Sequence, residues 1–118
     1  MPSIKIKIQV SNNHLIAFGP GKAELLEAIS QHGSISGAAK SMKMSYKRAW
    51  ELVMVMNNSF KEPLVTTIVG GPHGGGATIT AFGLEVLGKY QEVLTKSEKF
   101  VLSEMDSFLG MLATETPN

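Results

Sequence analysis

The chain has 118 residues, 43% of them hydrophobic, with five prolines, no cysteine and a formal net charge of +1, which is enough for one compact domain that buries roughly two-thirds of its unfolded surface. Without cysteine there is no disulfide framework, thiolate zinc site or thiol nucleophile, and a reducing cytoplasm is the expected setting. The N-terminus alternates apolar and polar residues where a signal peptide would run continuously apolar, and no later apolar run approaches about 18 residues, so neither export nor a membrane partner is expected.

Ile4, Ile6, Ile8 and Val10 alternate with Lys5, Lys7 and Gln9, the period of a half-buried strand over residues 4–10. Leu15–Phe18 is a short candidate partner, and Ser11-Asn12-Asn13-His14 supplies turn chemistry between them. The first twenty residues therefore read either as a hairpin or as an edge strand that pairs across a dimer.

After Gly19-Pro20-Gly21, the apolar residues Ala23, Leu25, Leu26, Ala28 and Ile29 recur at helical spacing until Gly33, placed where a helix C-cap glycine belongs. Ser34 precedes a short helix with Ile35, Ala38, Ala39 and Met42, whose alanines let a neighbouring helix come close. Ser45 can cap the next helix, from Tyr46 to about Asn58. Ala49, Trp50, Val53 and Asn57 are expected on its inner face, so Trp50 is read as a core anchor. Tyr46, Lys47, Arg48 and Glu51 begin the other face, giving a buried helix an unusually basic first turn.

Leu64–Val69 and Ala77–Thr80 are β-prone runs joined by Gly70-Gly71-Pro72-His73-Gly74-Gly75-Gly76, a connection too long for a two-residue turn. Residues 81–112 then carry Leu87, Tyr90, Leu94, Ser97, Val101, Met105, Phe108 and Leu112 at three- and four-residue steps. A break is expected near Thr95–Ser97. The stripe is longer than a small core requires and predicts a dimerisation seam, the alternative being core packing alone. Residues 113–118 are expected to be disordered.

The predicted fold class is mainly α with a small β wing: a winged helix-turn-helix with a three-helix core, a wing over about 64–80, N-terminal strand or strands, and a long C-terminal dimerisation helix. Residues 1–118 form a single domain in this reading. Charge distribution points the same way. Residues 32–80 hold five cations against two acids, whereas residues 81–118 hold three cations against six acids, as a DNA-facing unit followed by a solvent- or partner-facing helix would.

In a helix-turn-helix the second helix enters the major groove with its N-terminal residues at the base edges. Arg48 can then donate two hydrogen bonds to guanine, Lys47 can reach phosphate or guanine, and Ser45 and Tyr46 can contact phosphate or bases. Ser34 and Ser36 open the preceding helix, where free N–H groups suit a phosphate, although capping alone would also account for them. Lys40 and Lys43 are candidate backbone contacts. At the wing, His73, Gly74 and Gly75 let the main chain approach a phosphate or the minor groove. The glycine run is neither GxxxxGK[ST] nor GxGxxG before a helix. His14, His32 and His73 are far apart, so no metal, no cofactor and no enzymatic activity are expected.

These residues carry a family resemblance. GSIS-x-AAK at 33–40, MSYKRAW at 44–50, MN at 56–57, GG-x-x-GGGA at 70–77 and T-x-x-G at 80–83 together resemble the N-terminal DNA-binding domain of the ModE family of molybdate-responsive transcriptional regulators. LysR-type regulators share the layout but lack SYK-x-AW and the triple-glycine wing. The resemblance implies a homodimer on double-stranded DNA, joined through the final helix and N-terminal strand. It also implies sensing by molybdate-binding domains that follow in the family. No residue of this chain is assigned to oxyanion sensing, so molybdate is not expected to bind it directly. The alternative is a dimeric protein-interaction module on the same scaffold.

Overall fold

The structure, a computed structural model, describes residues 2–68 and 75–114. In chain order it comprises β1 (Val10–Asn12), β2 (Leu15–Phe18), α1 (Pro20–His32), α2 (Ile35–Ser41), α3 (Tyr46–Ser59), β3 (Val65–Ile68), β4 (Gly76–Ile79) and α4 (Ala81–Leu109). The chain is thus mostly helical, with two small antiparallel sheets, β1–β2 and β3–β4. The expectation for residues 115–118 lies outside the described residues.

The N-terminus departs from its predicted strand. Pairing begins only at Val10, with Asn12 opposite Leu15, and the turn is made by Asn13 and His14 at φ 51° and 71°, both in the region that a tight hairpin needs. Residues 2–9 have no strand assignment, although Ile4, Ile6 and Ile8 are less exposed than Lys5, Lys7 and Gln9. The alternation specified which side chains turn inward, but a strand also needs a ladder partner, and none is present here. Instead the Tyr90 hydroxyl donates to the Ile8 carbonyl at 2.9 Å.

Helix α1 starts on Pro20, whose fixed φ suits the first helical position. It ends at Gly33, at φ 69°, whose N–H donates to the Ile29 carbonyl. Leu25, Leu26 and Ile29 are fully buried against Phe18, Val53, Met56 and Leu64. Ala38 and Ala39 of α2 and Ala49 of α3 are also inaccessible, so these two helices meet through small side chains. The turn between them is closed by Lys43 N–H to the Lys40 carbonyl (3.2 Å) and Met44 N–H to the Ala39 carbonyl (3.0 Å). That is a Schellman closure, and Lys43 occupies its left-handed position at φ 56°.

The β3–β4 hairpin pairs Val65 with Ile79 and Ile68 with Gly76, and Ala77 N–H donates to the Gly33 carbonyl at 2.9 Å, pinning the hairpin to the α1–α2 junction. Thr80 caps α4: its Oγ1 accepts from Gly83 N–H at 2.8 Å and donates to the Pro63 carbonyl. Gly83 must lack a side chain, because a Cβ there would lie 2.3 Å from the Leu64 carbonyl oxygen. An aromatic series, Phe18 on Tyr90 (centroids 4.9 Å apart), Phe18 on Phe60 (6.0 Å) and Phe60 on Phe82 (6.3 Å), joins β2 and the end of α3 to α4 in edge-to-face contacts.

Helix α4 is continuous through Thr95–Ser97, where a break was expected. Those residues lower helix propensity by only a few tenths of a kcal/mol each. A Glu92–Lys96 pair at 2.8 Å spans the site with the spacing that supports a helix, and the Lys96 contact holds the Glu92 carboxyl below its ordinary pKa. The helix is about 43 Å long at 1.5 Å per residue. Among the described residues none beyond Leu87 is buried, while Phe100, Leu102 and Phe108 are more than half exposed.

Candidate nucleic-acid interface

Helix α3 is held from both ends. Ser45 Oγ accepts from Arg48 N–H at 3.0 Å at its start. Near its end, Asn57 Oδ1 accepts from Leu64 N–H and Val65 N–H, and Asn57 Nδ2 donates to the Val65 carbonyl. Ala49, Val53 and Met56 form the buried stripe. With 3.6 residues per turn, Lys47 and Glu51 lie opposite that stripe. Tyr46 and Trp50 lie on one flank, and Arg48 and Leu52 on the other. Ser45, Tyr46, Lys47 and Arg48 are all exposed.

The Tyr46–Trp50 flank faces the hairpin across a cavity of about 320 Å³ that Ser34, Ser36, Thr67 and Gly75 also line. The structure therefore brings the start of α2, the start of α3 and the near end of the hairpin to one surface. Ser34 Oγ is engaged as a cap, accepting from Gly37 N–H at 2.9 Å, and Ser36 is exposed. Lys40 and Lys43 are exposed at the last turn of α2 and in the closure after it. Gly75 is in place beside Ile68, whereas His73 and Gly74 lie outside the described residues.

Trp50 is not a core residue. It is 44% exposed and lines the cavity between α3 and the hairpin. The inner face was expected to run through Asn57, but the buried stripe runs through Met56, and that rotation moves Trp50 to the flank. The apolar residue Met56 in place of the polar Asn57 was the signal available in the sequence. Ile68, 64% exposed on the same cavity, carries no sequence signal that would have singled it out.

The Arg48 flank opens on a second cleft that also contains Lys22, which sequence reasoning missed. Lys22 Nζ donates to the Ile16 carbonyl at 2.7 Å. Burial, and secondarily the positive charge of Arg48, hold the Lys22 ammonium below its usual pKa.

No family model matches the chain. It is 43% identical over 82 residues to the molybdenum-pterin-binding protein MopA of Rhodobacter capsulatus, an alignment covering 67% of this chain and 31% of that protein. It is 34% identical over 119 residues to the transcriptional regulator ModE of Haemophilus influenzae, covering 98% of this chain and 46% of that one. To the DNA-binding transcriptional dual regulator ModE of Escherichia coli K12 it is 37% identical over 90 residues, 75% of this chain and 34% of the relative. The chain thus spans less than half the length of these relatives. No helix among the described residues is long and apolar enough to cross a membrane. Aligned with a ModE-type regulator over nearly all of its own length, the chain is ModE-like across that length and matches part of these longer proteins.

Proposed function

We propose that the chain is a dimeric, sequence-specific DNA-binding transcription regulator of the ModE type, in which α2 and α3 form the helix-turn-helix and β3–β4 is the wing. One observation carries this reading: the solvent-exposed first turn of α3, Ser45 to Arg48, shares a surface with Ser34 and Ser36 of α2 and with the near end of the hairpin. In that reading Lys47 and Arg48 address base edges from the major groove, Tyr46 and Trp50 face the strand running between helix and wing, and Lys40 and Lys43 meet the backbone. His73 and Gly74, in the glycine-rich connection between β3 and β4, are proposed as further DNA contacts.

Dimerisation is proposed through α4, whose distal apolar residues have no core to enter. Its two recognition helices would then meet successive major grooves about 34 Å apart. Relatives bear names that refer to molybdenum and to transcriptional regulation, so the controlled genes are proposed to concern molybdenum. The DNA-facing residues assigned here include no molybdate site. Selection of duplexes from a random library tests this function, and the expected result is an enriched pseudo-palindrome with half-sites about one helical turn apart. No enrichment at any salt concentration would favour a protein-docking role for the same scaffold.

A further inference from the structure

By sequence alone Lys5 and Lys7 belong to the solvent face of a strand, and Lys22 to a helix that merely supports the reading unit. The structure brings all three, with Arg48 of α3, to one cleft of about 600 Å³. Apolar Met42, Leu52 and Leu94 also line it, and no carboxylate does. Among the described residues the one ion pair is Lys96–Glu92, so none of these four cations is ion-paired. Lys22 is partly buried and its ammonium has a single carbonyl acceptor, leaving donors unused.

Four cations around one cleft repel one another and raise a strong positive potential above it. What sets the cleft apart is four cations and no carboxylate in one lining, which offers a place for an external anion. A phosphate suits it, because Arg and Lys donors make charge-assisted hydrogen bonds to its oxygens. Arg48 belongs to both the cleft and the first turn of α3, so an anion bound here lies beside whatever α3 reads.

We propose that Lys5, Lys7 and Lys22, in the cleft beside Arg48, form a phosphate-binding site that takes a backbone phosphate of DNA on the side of α3 away from the hairpin. The DNA footprint then extends from the winged helix to the N-terminal segment. This inference rests on the DNA-binding reading of α3. Phosphate contacts of this kind position the protein without reading sequence, so the site contributes affinity and register and leaves base preference to Lys47 and Arg48.

The test is the salt dependence of random-duplex binding by the whole chain, comparing the parent with Lys5→Ala/Lys7→Ala, with Lys22→Gln, which keeps a donor for the Ile16 carbonyl, and with Lys47→Ala. Removing one cation from a phosphate should flatten the slope of log affinity against log salt by about 0.9. The double variant and Lys22→Gln are expected to flatten it by one such step or more, and to weaken specific and random duplexes by the same factor. Unchanged slopes in both, with Lys47→Ala still weakened, would overturn the proposal while leaving the DNA reading intact. If the parent binds no duplex, the DNA reading fails, and thermal unfolding in pyrophosphate decides the site. Stabilisation that Lys22→Gln abolishes would support a phosphate site served by a free ligand, and absence of stabilisation would overturn it.

Discussion

Asn57 Oδ1 accepts hydrogen bonds from Leu64 N–H at 2.8 Å and Val65 N–H at 3.1 Å, while its Nδ2 donates to the Val65 carbonyl at 2.9 Å. A single side chain near the end of α3 therefore sets where the hairpin begins. Leu64 and Val65 are buried, so water does not readily replace the amide once it is removed. Asn57→Ala should cost about 2–3 kcal/mol and lower the thermal midpoint by roughly 10 °C. Calorimetry measures this, and a shift of only a degree or two would show that the clamp contributes little.

Lys43 sits at φ 56° in the α2–α3 turn, a conformation that costs an ordinary L-residue about 1–2 kcal/mol and costs glycine much less. Lys43→Gly is expected to raise stability by about 1 kcal/mol, read by urea denaturation. If Lys43 is retained for a backbone phosphate, the same variant should bind all duplexes more weakly. Stabilisation with unchanged binding would remove Lys43 from the interface.

Trp50 is the only tryptophan in the chain, and at 44% exposed it is expected to matter less to folding than a core residue and to report on the proposed interface. Trp50→Ala should cost less than about 2 kcal/mol, against about 3–5 kcal/mol for a core tryptophan. Its fluorescence should change on adding duplex, because the ring lines the cavity between α3 and the hairpin. A core-sized loss of stability, or emission indifferent to saturating duplex, would return Trp50 to a purely structural role.

Arg48→Ala should cost about 1–3 kcal/mol of binding and relax preference at one base pair, whereas Lys40→Ala should weaken all sequences alike and reduce the salt slope by about 1. Competition among single-base variants of the selected site distinguishes them. Unaltered base preference in Arg48→Ala would leave that side chain to phosphate alone.

Val101 and Met105 lie one turn apart on α4, beyond the last buried residue of that helix. Val101→Asp with Met105→Asp would place unpaired carboxylates in the proposed seam, at a cost of several kcal/mol when desolvated, and weaken dimerisation by at least about 100-fold. Sedimentation should give a dimer for the parent and a monomer for the variant. A dimer in both would move the seam elsewhere.

Most of the fold was legible because its signals are local. Gly33 ends α1, Ser34 and Ser45 cap two helices through their own hydroxyls, and Ser11–His14 before Leu15–Phe18 allowed either a hairpin or an edge strand, of which β1–β2 is the hairpin. Helix α4 needed no break at Thr95–Ser97 because modest propensity losses do not outweigh a helical hydrogen-bond ladder. Over residues 4–9 the alternation marked which side chains turn inward, because period two is local, whereas a ladder partner is not and none lies among the described residues of the chain.

By itself the sequence determined where helices start and stop, the basic first turn of α3, and the motifs that align the chain with the ModE family. Tertiary structure decided the rest, because contact depends on how elements are rotated and docked. A turn of one stripe from Asn57 to Met56 took Trp50 out of the core and freed Asn57 to fasten the hairpin. Folding residues 2–9 and α1 against α3 placed Lys5, Lys7 and Lys22 beside Arg48, cations separated by up to 43 positions whose shared field exists only once they share a cleft.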